Sequence, residues 1–162
     1  MDPTNPIEVE ITKVENYIEK FHSDNKLPPS LNQSVQMEVE QLLSQDIGEM
    51  KLTAELYGEK ALKLSQFSFF LQKQINKENA KIIWLNTKID GIIGPRLRQQ
   101  KAYSWEERKL SAIQEDDAAI KFNKLKIMSE MKVASLSYLG MKIDNIANKF
   151  SELQQTLRNK RI

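Results

Sequence analysis

Residues 57–92, YGEKALKLSQFSFFLQKQINKENAKIIWLNTKIDGI, decide the fold. Within them Tyr57, Ala61, Leu64, Ser68, Leu71, Ile75, Glu78, Ile82, Leu85, Ile89 and Ile92 recur at alternating spacings of four and three, and only Ser68 and Glu78 are polar. This spacing puts one side chain per turn on a single face of an α-helix, so the stretch predicts a long helix whose apolar stripe has a partner. Leu136, Leu139, Ile143, Ile146, Phe150, Leu153 and Leu157 repeat the pattern without a polar interruption. Two such helices joined by a short connection form an antiparallel hairpin with coiled-coil-like seams. Gly91 and the Gly94-Pro95 pair are expected to end the first of them in a tight turn or loop.

Between the two seams, Ser104-Trp105-Glu106-Glu107 has the form of a helix-capping box, and the acids Glu115, Asp116 and Asp117 offer a second cap. The residues from 105 onward therefore form either one helix or two. Toward the N-terminus, Asn5-Pro6 reads as a cap followed by a proline at the first helical position. Ile7, Ile11, Val14, Ile18 and Phe21 then mark an amphipathic helix of about 18 residues. A polar stretch from His22 closes with Pro28-Pro29, which cannot continue a helix. The chain is thus expected to divide into an acidic helix and linker, residues 1–29, and a helical body, residues 30–162. Ser30 with Gln33 opens that body, and Leu31, Val35, Val39 and Leu42 form its first stripe.

Composition agrees with an all-α fold. The 162 residues are 40% hydrophobic and 28% charged, and five Gly with five Pro are too few for the turns of a β-fold. The absence of Cys removes disulfides, zinc fingers, iron–sulfur clusters and thiol nucleophiles, and His22 is the single histidine. No stretch has the run of about 20 apolar residues that spans a bilayer, and the start is acidic where a signal peptide is basic, so the protein is expected in the cytoplasm, away from membranes. The net charge of +2 conceals an asymmetry. Residues 1–50 carry ten acids and three bases, a balance of −7, and residues 51–162 carry twelve acids and twenty-one bases, a balance of +9. That pattern suggests a basic body meeting a polyanion, although lysines also solvate ordinary helices.

One segment joins cations to aromatic rings: Lys88, Arg96, Arg98, Lys101, Arg108 and Lys109, with Tyr103 and Trp105 among them. Single-stranded nucleic acid needs this combination, cations for phosphates and flat side chains for bases. Arg96, Arg98 and Lys101 are the foremost phosphate candidates, and Tyr103 and Trp105 the stacking candidates. Lys121, Lys124 and Lys132 can share one helical face and track phosphates, near Lys126 and Lys142. The bland alternative is that these bases only solvate a turn and the flanks of a coiled coil. Arg158, Lys160 and Arg161 most simply complement a helix dipole. Glu115, Asp116 and Asp117 splay apart on a helix and lack a His partner, so no metal is expected. Without a phosphate-cradling GxxxxGK, a GxGxxG or a GxSxG, nothing argues for an enzyme or a cofactor.

Apolar residues beyond the two seams, among them Phe67, Phe69, Phe70, Trp84, Phe122 and Tyr138, exceed what one hairpin covers. A homo-oligomer is therefore expected, with Leu136, Leu139, Ile143, Ile146, Phe150, Leu153 and Leu157 at its interface.

The segments Asp46-Ile47-Gly48-Glu49-Met50-Lys51-Leu52, Leu110-Ser111-Ala112-Ile113-Gln114-Glu115-Asp116-Asp117, Lys132-Val133-Ala134-Ser135-Leu136 and Ile143-Asp144-Asn145-Ile146-Ala147-Asn148-Lys149-Phe150 give residues 46–162 a resemblance to the UvsY-type recombination mediators of T-even-like phages. The resemblance implies a small helical protein that helps load a recombinase onto single-stranded DNA coated with single-strand-binding protein. It also implies a ring-like homo-oligomer, and a basic, aromatic-bearing DNA segment near Arg96-Leu97-Arg98. Here Gly94-Pro95 stands in place of helix-continuing residues, Tyr103 in place of a tyrosine pair, and the first helix with its linker has no counterpart. The reading reached is a non-enzymatic single-stranded-DNA-binding mediator. Its rival is a structural coiled-coil or scaffolding protein. In either case residues 7–21 can serve as an adaptor helix, and the acidic arm either binds a protein partner or folds over the basic surface as a DNA mimic.

Overall fold

The computed structural model describes residues 6–24, 33–44, 47, 50–101 and 104–160, and among these every regular element is helical. In chain order they are α1 (Pro6–Asp24), α2 (Gln33–Ser44), α3 (Ala54–Leu97), α4 (Trp105–Gln114) and α5 (Asp117–Asn159). The proposed caps Asn5 and Ser30 and the stripe residue Leu31 lie outside the described residues, as do the side chains of Ile18, Phe21, His22 and Val35.

The starts of α1, α3, α4 and α5 each have a local cause. Pro6 occupies the first position of α1, where its missing N–H costs nothing. The Leu56 N–H donates to Thr53 Oγ1 at 3.4 Å ahead of α3. At α4 both halves of the capping box are present: the Glu107 N–H donates to Ser104 Oγ, and the Ser104 N–H donates to the Glu107 carboxylate. Asp116 Oδ1 accepts from the N–H groups of Ala118 and Ala119 at 2.9 and 3.0 Å, which starts α5 separately from α4. The open question of one helix or two is thus resolved as two.

The chain divides into two compact units. In the α1-containing unit, α1 up to Ile18 joins Ile75–Ala134, which hold the second part of α3, α4 and the first part of α5. The α2-containing unit takes the described residues of 19–74 and 135–162. Helices α3 and α5 pack together within each.

In the α2-containing unit the core gathers Val39 and Leu42 from α2, Tyr57, Ala61, Leu64, Phe67 and Leu71 from α3, and Ile143, Ala147 and Phe150 from α5. Leu64, Ile143 and Phe150 are completely buried, each contributing about 1.5–3 kcal/mol through removal from water. The Tyr57 ring lies 5.8 Å from that of Phe150, and its hydroxyl donates to the Met50 carbonyl. Leu136, Leu139, Ile146, Leu153 and Leu157 pack around this core. The α5 seam is therefore turned inward. Ile143 and Phe150, assigned above to an oligomer interface, have no surface left to offer a second copy, because α3 of the same chain already covers them.

In the α1-containing unit Leu85, Ile89 and Ile93 of α3 meet Ala112 and Ile113 of α4 and Ala119 and Phe122 of α5. Ile7 packs against this cluster, and Trp84 sets its ring edge-on to Phe122, 5.9 Å between centroids. Within the unit α3 and α5 run antiparallel: Glu78 meets Lys132, Trp84 meets Phe122 and Arg96 meets Asp116.

Two details of the α3 stripe differ from the sequence pattern. Phe67 and Ile93 are buried where Ser68 and Ile92 were expected to lead. Ile93 follows Tyr57 by 36 residues, about ten turns at 3.6 residues per turn, so it returns to the Tyr57 face while a strict heptad drifts off it. The helix also continues through Gly94-Pro95 to Leu97. Gly94 has no Cβ to collide with the proline ring, the one backbone bond forfeited is that to the exposed Gly91, and Ile93 and Leu97 hold the last turn onto the core. Among the described residues no helix is long and apolar enough to cross a membrane.

Candidate nucleic-acid interface

The ten described cations and rings proposed for DNA binding all fall in the α1-containing unit, and Tyr103 lies outside the described residues. Their surroundings sort them into two groups. Four are engaged by carboxylates: Lys88 by Glu10 at 2.9 Å, Arg96 by Asp116 at 2.9 Å, Lys109 by Asp90 at 2.7 Å, and Lys132 by Glu78. Arg98, Lys101, Lys121 and Lys124 are exposed and have no ion pair among the described residues. Trp105, the first residue of α4, is 57% exposed. Arg108 is half-buried, with its Nε enclosed and unpartnered.

On the α3–α4 connection, which carries Arg98 and Lys101, the stretch 96–100 is held by side-chain contacts at both of its ends. Arg96 Nη1 donates to the Glu115 carbonyl at 3.1 Å and pairs with Asp116. Gln100 Nε2 donates to the Glu115 carboxylate at 2.9 Å, and the Ser111 hydroxyl donates to Gln100 Oε1 at 2.9 Å. The tip of the connection is thereby tied to the α4–α5 junction. The backbone N–H of Ala119 above all, with that of Ala118 and the Arg96 guanidinium, holds the Asp116 carboxyl below its ordinary range against a smaller opposing effect of desolvation. It is an anion throughout the neutral range. Gln100, Glu115 and Asp116 do the positioning, and their polar side chains are indistinguishable in the sequence from ordinary solvated ones.

Burial pushes the Glu78 carboxyl up, but hydrogen bonds from Lys132 and Ser129 and the charges of Lys132 and Lys81 outweigh it, so its pKa lies below normal. Glu78 therefore remains charged inside the α3–α5 seam and keeps Lys132 occupied. Lys88 lies with its Nζ 5.4 Å from the centroid of the Trp84 ring. Lys81, absent from the sequence-derived set, pairs with Glu15 at 2.8 Å. The signal that would have found it is its spacing of seven from Lys88 on one α3 face.

The chain matches no protein-family model, no curated protein and no solved structure.

Proposed function

We propose that the protein is a non-enzymatic recombination mediator that binds single-stranded DNA through the α3–α4 connection and the adjoining face of α5. The observation that carries this reading is the pair Arg98 and Lys101, exposed and without carboxylate partners among the described residues, on a stretch tied to the α4–α5 junction by Arg96 and Gln100, with the exposed Trp105 ring four positions after Lys101 in the chain. Cations on a braced loop meet phosphates with little ordering cost, and a rigid indole supplies a stacking face of any sequence preference. Lys121 and Lys124 extend the cationic surface on α5. Loading of a recombinase onto strand coated with single-strand-binding protein and a ring-like homo-oligomer accompany the reading through the UvsY-type resemblance, and a cytoplasmic setting through the acidic start and the lack of a long apolar run.

The test is binding of fluorescent single- and double-stranded oligonucleotides over a salt series. Wild type should prefer the single strand, and Arg98→Ala/Lys101→Ala should flatten the log–log salt slope by about 0.7 per lost phosphate contact. A well-folded protein that binds neither strand at low salt overturns the proposal.

A second reading, a helical scaffold or assembly component, is favoured by Ile120, Ile127 and Met128 of α5, which are 42%, 46% and 58% exposed on the side away from the core. Exposed large apolar residues grouped on one side of a helix are a feature of contact surfaces. Light scattering separates the readings: a large assembly without DNA affinity is the scaffold.

A further inference from the structure

Helix α1 carries five acids, Glu8, Glu10, Glu15, Glu19 and Asp24, against the bases Lys13 and Lys20. Two of its carboxylates sit on α3 lysines, Glu15 on Lys81 and Glu10 on Lys88, while Ile7 and the buried Ile11 hold its apolar side. Lys81 and Lys88 are two turns apart, about 10 Å along the helix, with Trp84 on the intervening turn. Without α1, this face of α3 would present two ammonium groups, with the half-buried Trp84, packed edge-on to Phe122, on the turn between them.

We infer that Lys81 and Lys88 belong to the polyanion-binding surface and that α1 is its built-in competitor, with Glu10 and Glu15 occupying the sites that backbone phosphates would take. This inference rests on the DNA-binding reading above. The contacts suit an exchangeable cover. At the Lys88–Glu10 pair both side chains are more than 40% exposed, and ion pairs so open to solvent are weak and weakened further by salt. A strand already engaged at Arg98 and Lys101 presents its next phosphates at high local concentration, so it competes with two carboxylates on favourable terms.

The experiment uses the full chain with Glu10→Gln/Glu15→Gln, which keeps α1 and its Ile7 and Ile11 contacts, and titrates it with fluorescent single-stranded DNA from low to moderate salt. Circular dichroism checks that the variant is folded. Affinity should rise about three- to tenfold, and the log–log salt slope should steepen by about 1.4 for two added phosphate contacts. Lys81→Ala/Lys88→Ala should weaken binding more in the Gln background than in wild type, where the strand gains those lysines only by displacing Glu10 and Glu15. Glu8→Gln, removing an α1 charge that has no lysine beneath it among the described ion pairs, should leave the slope unchanged. Equal slopes for wild type and Glu10→Gln/Glu15→Gln, or equal losses from the lysine changes in both backgrounds, overturn the competitor while leaving the DNA-binding reading intact. If wild type and variant both fail to bind, the two fall together.

Discussion

The two units of the molecule are made from the same pair of long helices but are held by different chemistry. The α2-containing unit rests on Leu64, Ile143 and Phe150, all without exposed surface, and the buried Tyr57 adds a hydrogen bond to a backbone carbonyl. The α1-containing unit also has an apolar core, yet it is crossed by ion pairs joining α1 to α3, α3 to α4 and α3 to α5. An apolar seam has no charges for salt to screen or acid to neutralise. A unit braced by charges gives part of its stability to salt and pH, and it keeps its cations in fixed places where an anion can find them.

The contrast can be broken most sharply at Phe150. Replacement by Ala should cost about 3–5 kcal/mol in denaturant unfolding, through lost burial and the cavity left behind. A smaller loss than that caused by removing an ion pair in the other unit would refute the assignment of Phe150 to the dominant core. Next comes the buried pair. Lys132→Met should destabilise by about 1–3 kcal/mol, since it leaves Glu78 buried without its cation, while Glu78→Leu/Lys132→Met should recover most of that loss. If the double change is worse than the single one, the pair contributes more than its desolvation costs.

A third effect is the loss of the Asp116 cap. Asp116→Ala should lower the melting temperature measurably and Asp116→Asn by less, because the amide oxygen can still accept at the helix start. Acid provides the same test without mutation. Both Asp116 and Glu78 have folded pKa values below their unfolded ones, about 3.9 and 4.3, so their stabilisation is complete above those values and is lost as pH falls through the folded ones. The melting temperature should be level above about pH 5 and fall below about pH 4, with the fall reduced in Asp116→Asn and Glu78→Gln. The smallest expected change is a gain: a Cβ at Gly91 or Gly140 meets no atom within 4 Å, so Ala at either helical site should add up to about 1 kcal/mol in both units alike.

Much of this architecture was legible in the sequence. Proline at the head of α1, the capping box at Ser104 and Glu107, and the four-three stripes of α3 and α5 are local patterns, and the structure follows them. Gly94-Pro95 misled because its usual meaning was overridden by the anchoring of Ile93 and Leu97. On α5, periodicity shows that a stripe has a partner but not whether the partner is another helix of the same chain or a second copy; Ile143 and Phe150 find theirs within the chain. At the candidate site, residue type showed where cations are abundant. It could not show which are engaged, because Glu15 and Lys81 are 66 positions apart and only the fold brings them together.

Glu78 has a consequence for how the two long helices find their alignment. A stripe of apolar residues repeating every seven is nearly self-similar, so sliding α5 along α3 by one heptad would still set leucine and isoleucine against their like. The carboxylate removes that degeneracy. Shifted by seven in either direction, it would face Leu125 or Leu139 in place of Lys132 and lose the hydrogen bond that offsets its burial. Of the many near-equivalent zippered pairings open to two periodic helices, Glu78 labels one as correct, and a chain that closes out of step has a reason to open and try again.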